Sequence, residues 1–494
     1  MINAEQSTDE RDLGWLGLLT PEWMPSLAVL LGGVLMHSMN VLLVATVLPS
    51  IVAEVGGAAL MSWPSTAYLA CSIVAATCAG LVTAAIGPGR AFAVGAVVFC
   101  LGTLLCAFAP AMGQIIAGRF LQGGGGGLLS AVAYVVVRGT FPERVWPRVF
   151  ASLASVWSIS VLFGPLVGGA FANSGKWRGA FFAIAALAGA LALIALWVLP
   201  RHRPAGRRAR PRVPSGRGAL IVVAIAAMSL AAVASVAAIK ICLILAAVSA
   251  LVSTLRLDRR ATTRVMPGDA FSVYSPTGVG LWVALLMSIA FVPLQIFVPV
   301  FLQRLHGFDP LTAGYTVAAA SMAWTAAAIA VAGLSNRWPD RMIIAGPVVM
   351  GTGLLGLAIA MPRGPVLAIV PMIILIGGGI GVCWAFTAQR IMRSARSGDE
   401  EIAASSVATV QQTGLALGAA LAGLVANAAG FSVTSDTTGI ARAAFFVPVS
   451  FSSAAAAAGI MGVRLAVLAR RAHSSSPRES SPSASVFGRS STGN

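Results

Sequence analysis

Residues 179–217 read GAFFAIAALAGALALIALWVLPRHRPAGRRARPRVPSGR. The first twenty-one of these carry no charge, and about 20 apolar residues in helical form suffice to cross the hydrocarbon core of a bilayer. The stretch then turns abruptly basic: Arg201, Arg203, Arg207, Arg208, Arg210, Arg212 and Arg217 follow with prolines between them. Such a run reads as a solvated linker rather than a helix. An oily segment closed by a dense positive segment is the signature of a chain that enters lipid and keeps its basic connections on one side.

Outward from this junction the pattern repeats. Of 494 residues, 57% are hydrophobic and only 10% charged, against roughly 25% charged in soluble domains. One aqueous core cannot bury so much apolar side chain, and a bilayer can. Before the linker, apolar stretches lie near 25–48, 63–86, 91–108, 112–137, 149–171 and 179–199. Two more follow it, 218–238 and 241–254, separated by Lys240, and six close the chain at 278–302, 311–334, 342–361, 365–387, 402–428 and 443–468. These fourteen candidates predict an all-α polytopic membrane protein. Its expected parts are an N-terminal tail (1–24), a six-helix bundle (25–200), the basic linker (201–217), two additional helices (218–254), a polar loop (255–277), a second six-helix bundle (278–470) and a serine-rich tail (471–494). Two six-helix halves suggest a transporter built from repeats, with its path between them.

The arginines can be counted on this layout. With both termini cytoplasmic, 26 of the 33 basic residues fall on the inner side and 6 on the outer, and Arg119 lies within a span. That imbalance favours cytoplasmic termini and an even number of spans in the plasma membrane. It also accounts for the net charge of +17 without nucleic acid. The acidic N-terminal segment, with Glu5, Asp9, Glu10 and Asp12, has the wrong sign for a secretory signal. The six cysteines all lie in apolar stretches, away from histidine at metal-ligand spacing; neither disulfides nor a metal is expected, and no cofactor. The glycine run 123–127 is not followed by Lys-Ser/Thr, so a phosphate-binding loop is not read, and no catalytic set is apparent.

The chemistry must come from polar groups at membrane depth. None of the sixteen carboxylates falls well inside a span. A pump for cations ordinarily needs one there, so neutral or anionic substrates are favoured. Arg119, two turns into the fourth span, is costly in lipid unless it faces a cavity or a partner; it lines the path, takes part in proton coupling, or snorkels to the interface. His37, midway along the first span, is either a proton carrier in the working pH range or a hydrogen-bonded packing residue. Asn40 shares its face one turn on. Trp157, Gln295, Trp384, Gln411 and Gln412 are possible cavity residues, each open to a plain packing role. The five glycines 123–127 either admit a neighbouring helix closely or form a hinge. Gly164-Pro165 with Gly168-Gly169 in the fifth span reads as a kinked, close-packed helix.

Taken together, in this order and at these depths, the motifs resemble the major facilitator superfamily, most nearly its fourteen-span drug:proton antiporter branch. Leu48-Pro49-Ser50-Ile51, Trp63 with Tyr68, Gly118-Arg119 with Gln122-Gly123, Gly164-Pro165 with Gly168-Gly169, Trp177-Arg178, and Gln411-Gln412-Thr413-Gly414 with Gly418 carry the resemblance. It implies the major facilitator fold, a monomer, proton-coupled efflux of small hydrophobic molecules by alternating access, Arg119 in proton transfer with Gln122 beside it on the coupling or translocation path, and the Gly164–Gly169 stretch in export. The alternative is a transporter-like protein that senses or scaffolds. Two departures motivate it. Asn40 stands where an acid is often found. In the loop after the second span, Gly80, Gly87 and Arg90 are kept, but Ala84 and Ala85 replace the acid–arginine pair thought to gate that side.

Overall fold

The computed structural model describes residues 15–56, 60, 63–199, 237–261, 264–431 and 437–474, with scattered positions in 220–236. Fourteen α-helices are described: α1 (Met24–Val55), α2 (Trp63–Ile86), α3 (Pro88–Ala107), α4 (Met112–Thr140), α5 (Trp146–Asn173), α6 (Trp177–Val198), α7 (Ala237–Arg259), α8 (Pro276–Ile296), α9 (Val298–His306), α10 (Pro310–Val331), α11 (Trp338–Arg363), α12 (Val366–Arg393), α13 (Glu400–Ala428) and α14 (Thr437–Ser474). Several start on proline at the first turn, where a missing N–H costs nothing. Ser275 caps α8 by accepting from Gly278 N at 3.0 Å, and Asp309 caps α10 by accepting from Leu311 N and Thr312 N. Gly87 takes φ +84°, a left-handed conformation that lets α2 turn directly into α3.

Among the described residues, twelve helical segments are long and apolar enough to span a bilayer, α8 and α9 counting as one, and α1 contributes a further apolar stretch. The sequence stretch 218–238 and the linker 201–217 lie largely or wholly outside the described residues. Lys240, read from sequence as a break between spans, instead sits in the first turn of α7, buried, its Nζ close to Gly423 of α13. α7 also runs on through Arg256 to Arg259, beyond the expected end at 254. Arginines in the last turn favour the helix C-terminus, and Asp258 turns the chain by accepting from Val265 N and Met266 N.

The two halves repeat one packing scheme. In the first, α4 packs on α2 and α3, α3 on α6, and α1 on α5; in the second, α12 packs on α10 and α11, α11 on α14, and α8 on α13. Glycine positions fix the register. A methyl at Gly123 or Gly127 would run into the Tyr68 or Ser72 carbonyl of α2, and one at Gly377 or Gly381 into the Ala320 or Trp324 carbonyl of α10. Gly102 of α3 sits against Gln122 N of α4 as Gly353 of α11 sits against Ile376 N of α12. The glycine run of α4 is thus a close-packing surface shared by two neighbours.

The halves meet through two related contacts, α2 with α13 and α5 with α10. Gly80 near the end of α2 rests on Ile402 and Ser405 of α13. Gln412 of α13 accepts from Ser72 Oγ at 2.7 Å and donates to Ser130 Oγ of α4 at 3.3 Å. Ser158 of α5 pairs with Thr325 of α10 at 2.6 Å. At the same end, Arg138 donates to the Met392 carbonyl, Gln389 to the Glu143 carbonyl at 2.8 Å, and Arg393 pairs with Glu143 at 3.3 Å. These contacts run from the arginine-rich ends of the helices to about mid-depth, so the molecule is shut on that face.

Candidate functional site

The deepest polar cluster in the first half forms between α1, α2, α3 and α4. Arg119 is 1% exposed, two turns into α4. Its guanidinium lies 4.2 Å from the centroid of the Tyr68 ring. Nη1 donates to Gln122 Oε1 at 2.9 Å and Nε to the Pro64 carbonyl at 3.3 Å. All these partners are neutral. A desolvated cation over an aromatic face gains about 2 kcal/mol, and the two acceptors satisfy part of its hydrogen-bonding capacity. Snorkelling is not what the side chain does here; it turns into the helix packing.

Gln122 joins Arg119 to two further helices. Its Nε2 donates to Thr103 Oγ1 of α3 at 2.8 Å and makes a long 3.5 Å contact with Asn40 Oδ1 of α1. Asn40 is fully buried, and among the described residues its Nδ2 makes no hydrogen bond within ordinary distance, the Tyr68 hydroxyl being its polar neighbour. Leaving such a donor orphaned costs roughly 1–3 kcal/mol. A carboxylate at this position would present acceptors only; the amide presents a donor beside a cation that has no carboxylate partner among the described residues. That electrostatic setting suits an acceptor-rich or anionic visitor.

His37 lies one turn before Asn40. Its Nδ1 is 2.7 Å from the Tyr68 hydroxyl, and the Trp157 ring of α5 meets it edge-on at 6.0 Å. Trp157 is 39% exposed, so the chain of rings Tyr68–His37–Trp157 leads from the buried arginine outward. The Tyr68 hydroxyl can donate to an unprotonated Nδ1 or accept from a protonated one, so the same heavy-atom geometry holds either charge state. Gly126 makes the room: a methyl there would stand 2.6 Å from the Tyr68 hydroxyl and 2.7 Å from His37 Nδ1.

The structure thus brings Arg119, Gln122, Asn40 and His37 together with Trp157 at the margin. The other sequence candidates lie elsewhere. Gln412 bridges the halves through Ser72 and Ser130. Gln411 beside it is half-buried. Trp384 of α12 is buried, donates to the Tyr134 hydroxyl at 3.3 Å and packs edge-on against Trp324; it is an interhelical contact. Gln295 is exposed near the end of α8. Gly164 and Gly168 are buried in α5, and Gly169 has open space beside it. α5 runs helically through Pro165, whose side chain lies outside the described residues. Gly87 forms the α2–α3 turn, and Arg90 is exposed at the start of α3.

Tyr68, Thr103 and the Pro64 carbonyl were not recognisable in the sequence as partners of Arg119, because they belong to α2 and α3 and meet α4 only when the helices pack. So was the tie at the opposite face, where Glu54 at the end of α1 accepts from Trp177 Nε1 at 2.6 Å and pairs with Arg178. The described carboxylates all sit at helix ends or in connections, as the sequence implies.

Repeat register shows that this chemistry is one-sided. Ser288 of α8 faces Gly414 of α13 as Ser38 of α1 faces Ser160 of α5, at 2.6 Å. In that register Met287 and Ala290 stand for His37 and Asn40, while Ile373 and Ile376 stand for Arg119 and Gln122. All four are buried and apolar.

Residues 30–422 match the Major Facilitator Superfamily. A probable multidrug-efflux transporter from Mycobacterium tuberculosis is 33% identical over 431 residues, covering 84% of this chain and 90% of its own. Multidrug resistance protein 3 of Bacillus subtilis is 25% identical over 296 residues, covering 58% of this chain and 56% of its own. The crystal structure of the human organic anion transporter MFSD10 superposes with a TM-score of 0.68 at 13% identity, over 90% of this chain and all of the other.

Proposed function

Because the chain belongs to the major facilitator superfamily, and is a membrane transporter rather than an enzyme, we propose that it exports small hydrophobic molecules, neutral or anionic, driven by an inward proton gradient. The observation that carries this reading is the buried Arg119, held by a ring, an amide and a carbonyl with no carboxylate beside it among the described residues. A cation so placed attracts an anion and repels a second cation. The Mycobacterium tuberculosis relative is named a probable multidrug-efflux transporter, which supports export as the direction.

The arginine-rich face is the cytoplasmic one, with both termini on it, and the chain is a plasma-membrane monomer. The described conformation is then outward-facing, closed below by the α2–α13 and α5–α10 contacts. Substrate enters from the cytoplasmic side after the halves rock apart there, binds near Trp157 and leaves outward. His37 takes a proton from outside in exchange. Its protonation beside Arg119 adds a second positive charge to the cluster and reverses the Tyr68 hydrogen bond, which biases the halves toward the inward-open state. Sensing without transport has no comparable support, since the relatives named for a function are named as transporters or resistance proteins.

The test is efflux from proteoliposomes under an imposed pH gradient, with fluorescent substrates of each charge. Gradient-dependent movement of neutral or anionic substrates is expected from the wild type and not from Arg119→Ala. Cation-selective transport, or an Arg119→Ala protein that pumps like the wild type, defeats the proposal.

A further inference from the structure

On the arginine-rich side of the Arg119 cluster, a group of aromatic rings lies where the two halves meet. Tyr134 of α4 and Phe150 of α5 come from the first half, their ring centroids 5.3 Å apart. Trp384 of α12, Trp324 of α10 and Phe291 of α8 come from the second; Trp324 meets Trp384 at 6.3 Å and Phe291 at 5.5 Å, both edge-on. Trp384 Nε1 donates to the Tyr134 hydroxyl at 3.3 Å and joins the two sets across the halves. Tyr134 is half-buried, and Phe150, Phe291 and Trp384 are buried. One stripe of α5 carries this layer and the margin of the Arg119 cluster: Phe150 stands two turns before Trp157, about 10 Å along the axis. Trp157 is the exposed one of the two.

Aromatic side chains bury about 150–250 Å² each. Parting the halves at this end uncovers both sets of rings, so the parted state carries a hydrophobic cost that the closed state lacks. It also takes the acceptor away from Trp384 Nε1, a group that can only donate. The Tyr134 hydroxyl, an acceptor in the closed state, keeps a proton to give. What remains is ring surface on both sides of the opening and two polar donors between them. A flat aromatic molecule that bears an oxygen acceptor replaces each lost contact. The rings stack offset or edge-on against it, and its oxygen takes the indole N–H and the hydroxyl.

We propose that Tyr134 and Trp384 are the two walls of an inward-facing site for planar aromatic molecules that carry an oxygen acceptor, and that their mutual contact is this site closed on itself. The proposal rests on the export reading, in which the halves rock apart at the arginine-rich face. The ligand binds only the parted form and shifts the equilibrium toward it by its differential affinity. A substrate of this class therefore helps to open the face through which it enters. When the halves return, the two walls reunite and the ligand passes to the layer at Trp157. A saturated molecule of equal size and charge gains no stacking, so the site selects for planarity.

Binding is measured without a pH gradient. Full-length protein in phosphatidylcholine nanodiscs is dialysed to equilibrium against tritiated 2-naphthoate, with empty discs as the blank. Decahydro-2-naphthoate, the same carboxylate on a puckered saturated frame, is the competitor. Wild type should bind 2-naphthoate saturably, and the decahydro compound should displace it at least tenfold less well than unlabelled 2-naphthoate. Gln412→Ala, which loosens the α2–α13 closure, should tighten binding severalfold, because apparent affinity scales with the fraction of parted protein. Tyr134→Leu and Trp384→Leu also loosen the closure but remove a wall, and binding should weaken at least fivefold. A plain seal would behave in the opposite way: binding as tight as wild type, or tighter, without either ring overturns the proposal. Equal displacement by the decahydro compound, or no saturable binding, overturns it too. If a leucine variant does not fold, Trp384→Phe keeps a ring and removes the donor; loss of one hydrogen bond should weaken binding about fivefold, and unchanged binding overturns the assignment. The efflux assay reports separately. Efflux without this binding pattern defeats the site alone, and this pattern without efflux defeats the export reading alone.

Discussion

Replacing single glycines in the 123–127 run separates a packing surface from a hinge. At Gly124 an added methyl would lie 3.3 Å from Cys71 Sγ, while at Gly126 it would lie 2.6 Å from the Tyr68 hydroxyl and 2.7 Å from His37 Nδ1. Ordinary contact begins at 3.4 Å. The neighbour must therefore give by roughly 0.1 Å at Gly124 and roughly 0.8 Å at Gly126. The first is absorbed by one flexible side chain. The second drives into a 2.7 Å hydrogen bond between two buried groups. Overpacking costs about 1–3 kcal/mol and loss of the buried bond about 1 kcal/mol. Both alanines recover about 1 kcal/mol of helix propensity. Gly124→Ala should then be neutral or slightly stabilising, and Gly126→Ala destabilising by roughly 1–3 kcal/mol. Thermal unfolding of the purified proteins in detergent measures the difference, and vesicle efflux measures turnover. Under a hinge, rigidifying either position slows turnover alike. If Gly124→Ala pumps as poorly as Gly126→Ala while both remain folded, the packing argument is wrong.

Three other outcomes follow from named contacts. Asn40→Asp places a carboxylate near Arg119 and offsets its charge, so efflux of anionic dyes should fall and cationic dyes should become substrates in the same vesicle assay. Gln412→Ala removes both hydrogen bonds that tie α13 to α2 and α4, and cysteine-accessibility labelling of the arginine-rich face should rise severalfold relative to wild type. The Asp309 carboxyl is held below its ordinary 3.8, first by the Thr312 hydroxyl and then by backbone N–H groups at the α10 N-terminus. A depressed carboxyl stabilises the fold above its unfolded value and ceases to do so as pH falls through the folded one. Asp309→Ala should thus melt below wild type at neutral pH, with the gap closing under acid conditions below pH 3.8.

The fold was legible because lipid imposes a length and an apolarity on every span, and those are local properties of the chain. Helix ends were less so: Lys240 looked like a break because a lone lysine is polar, yet α7 carries it against Gly423 with its side chain in the packing. For the site, Arg119 and His37 announced themselves as ionisable groups at depth. Their partners did not. Tyr68 stood only within a family motif, Thr103 carries no motif in the sequence, and the Pro64 carbonyl has no side-chain signal at all. Which groups share a cluster depends on how four helices rotate about their axes, and single-helix periodicity does not carry that information. The glycine run was readable as unusual, but its two-sided role emerged only with α2 and α3 beside it.

The apolar replacement of the cluster in the second half sets a ceiling on what the proposed pump can accomplish. In the proposed cycle His37 is the one imidazole of the buried cluster among the described residues, so that cycle would carry one proton per turnover. For an uncharged solute, each unit of pH difference is then worth about 1.4 kcal/mol, a tenfold ratio at most. Steeper accumulation would need the membrane voltage as a second power source, drawn on through the net charge moved per cycle.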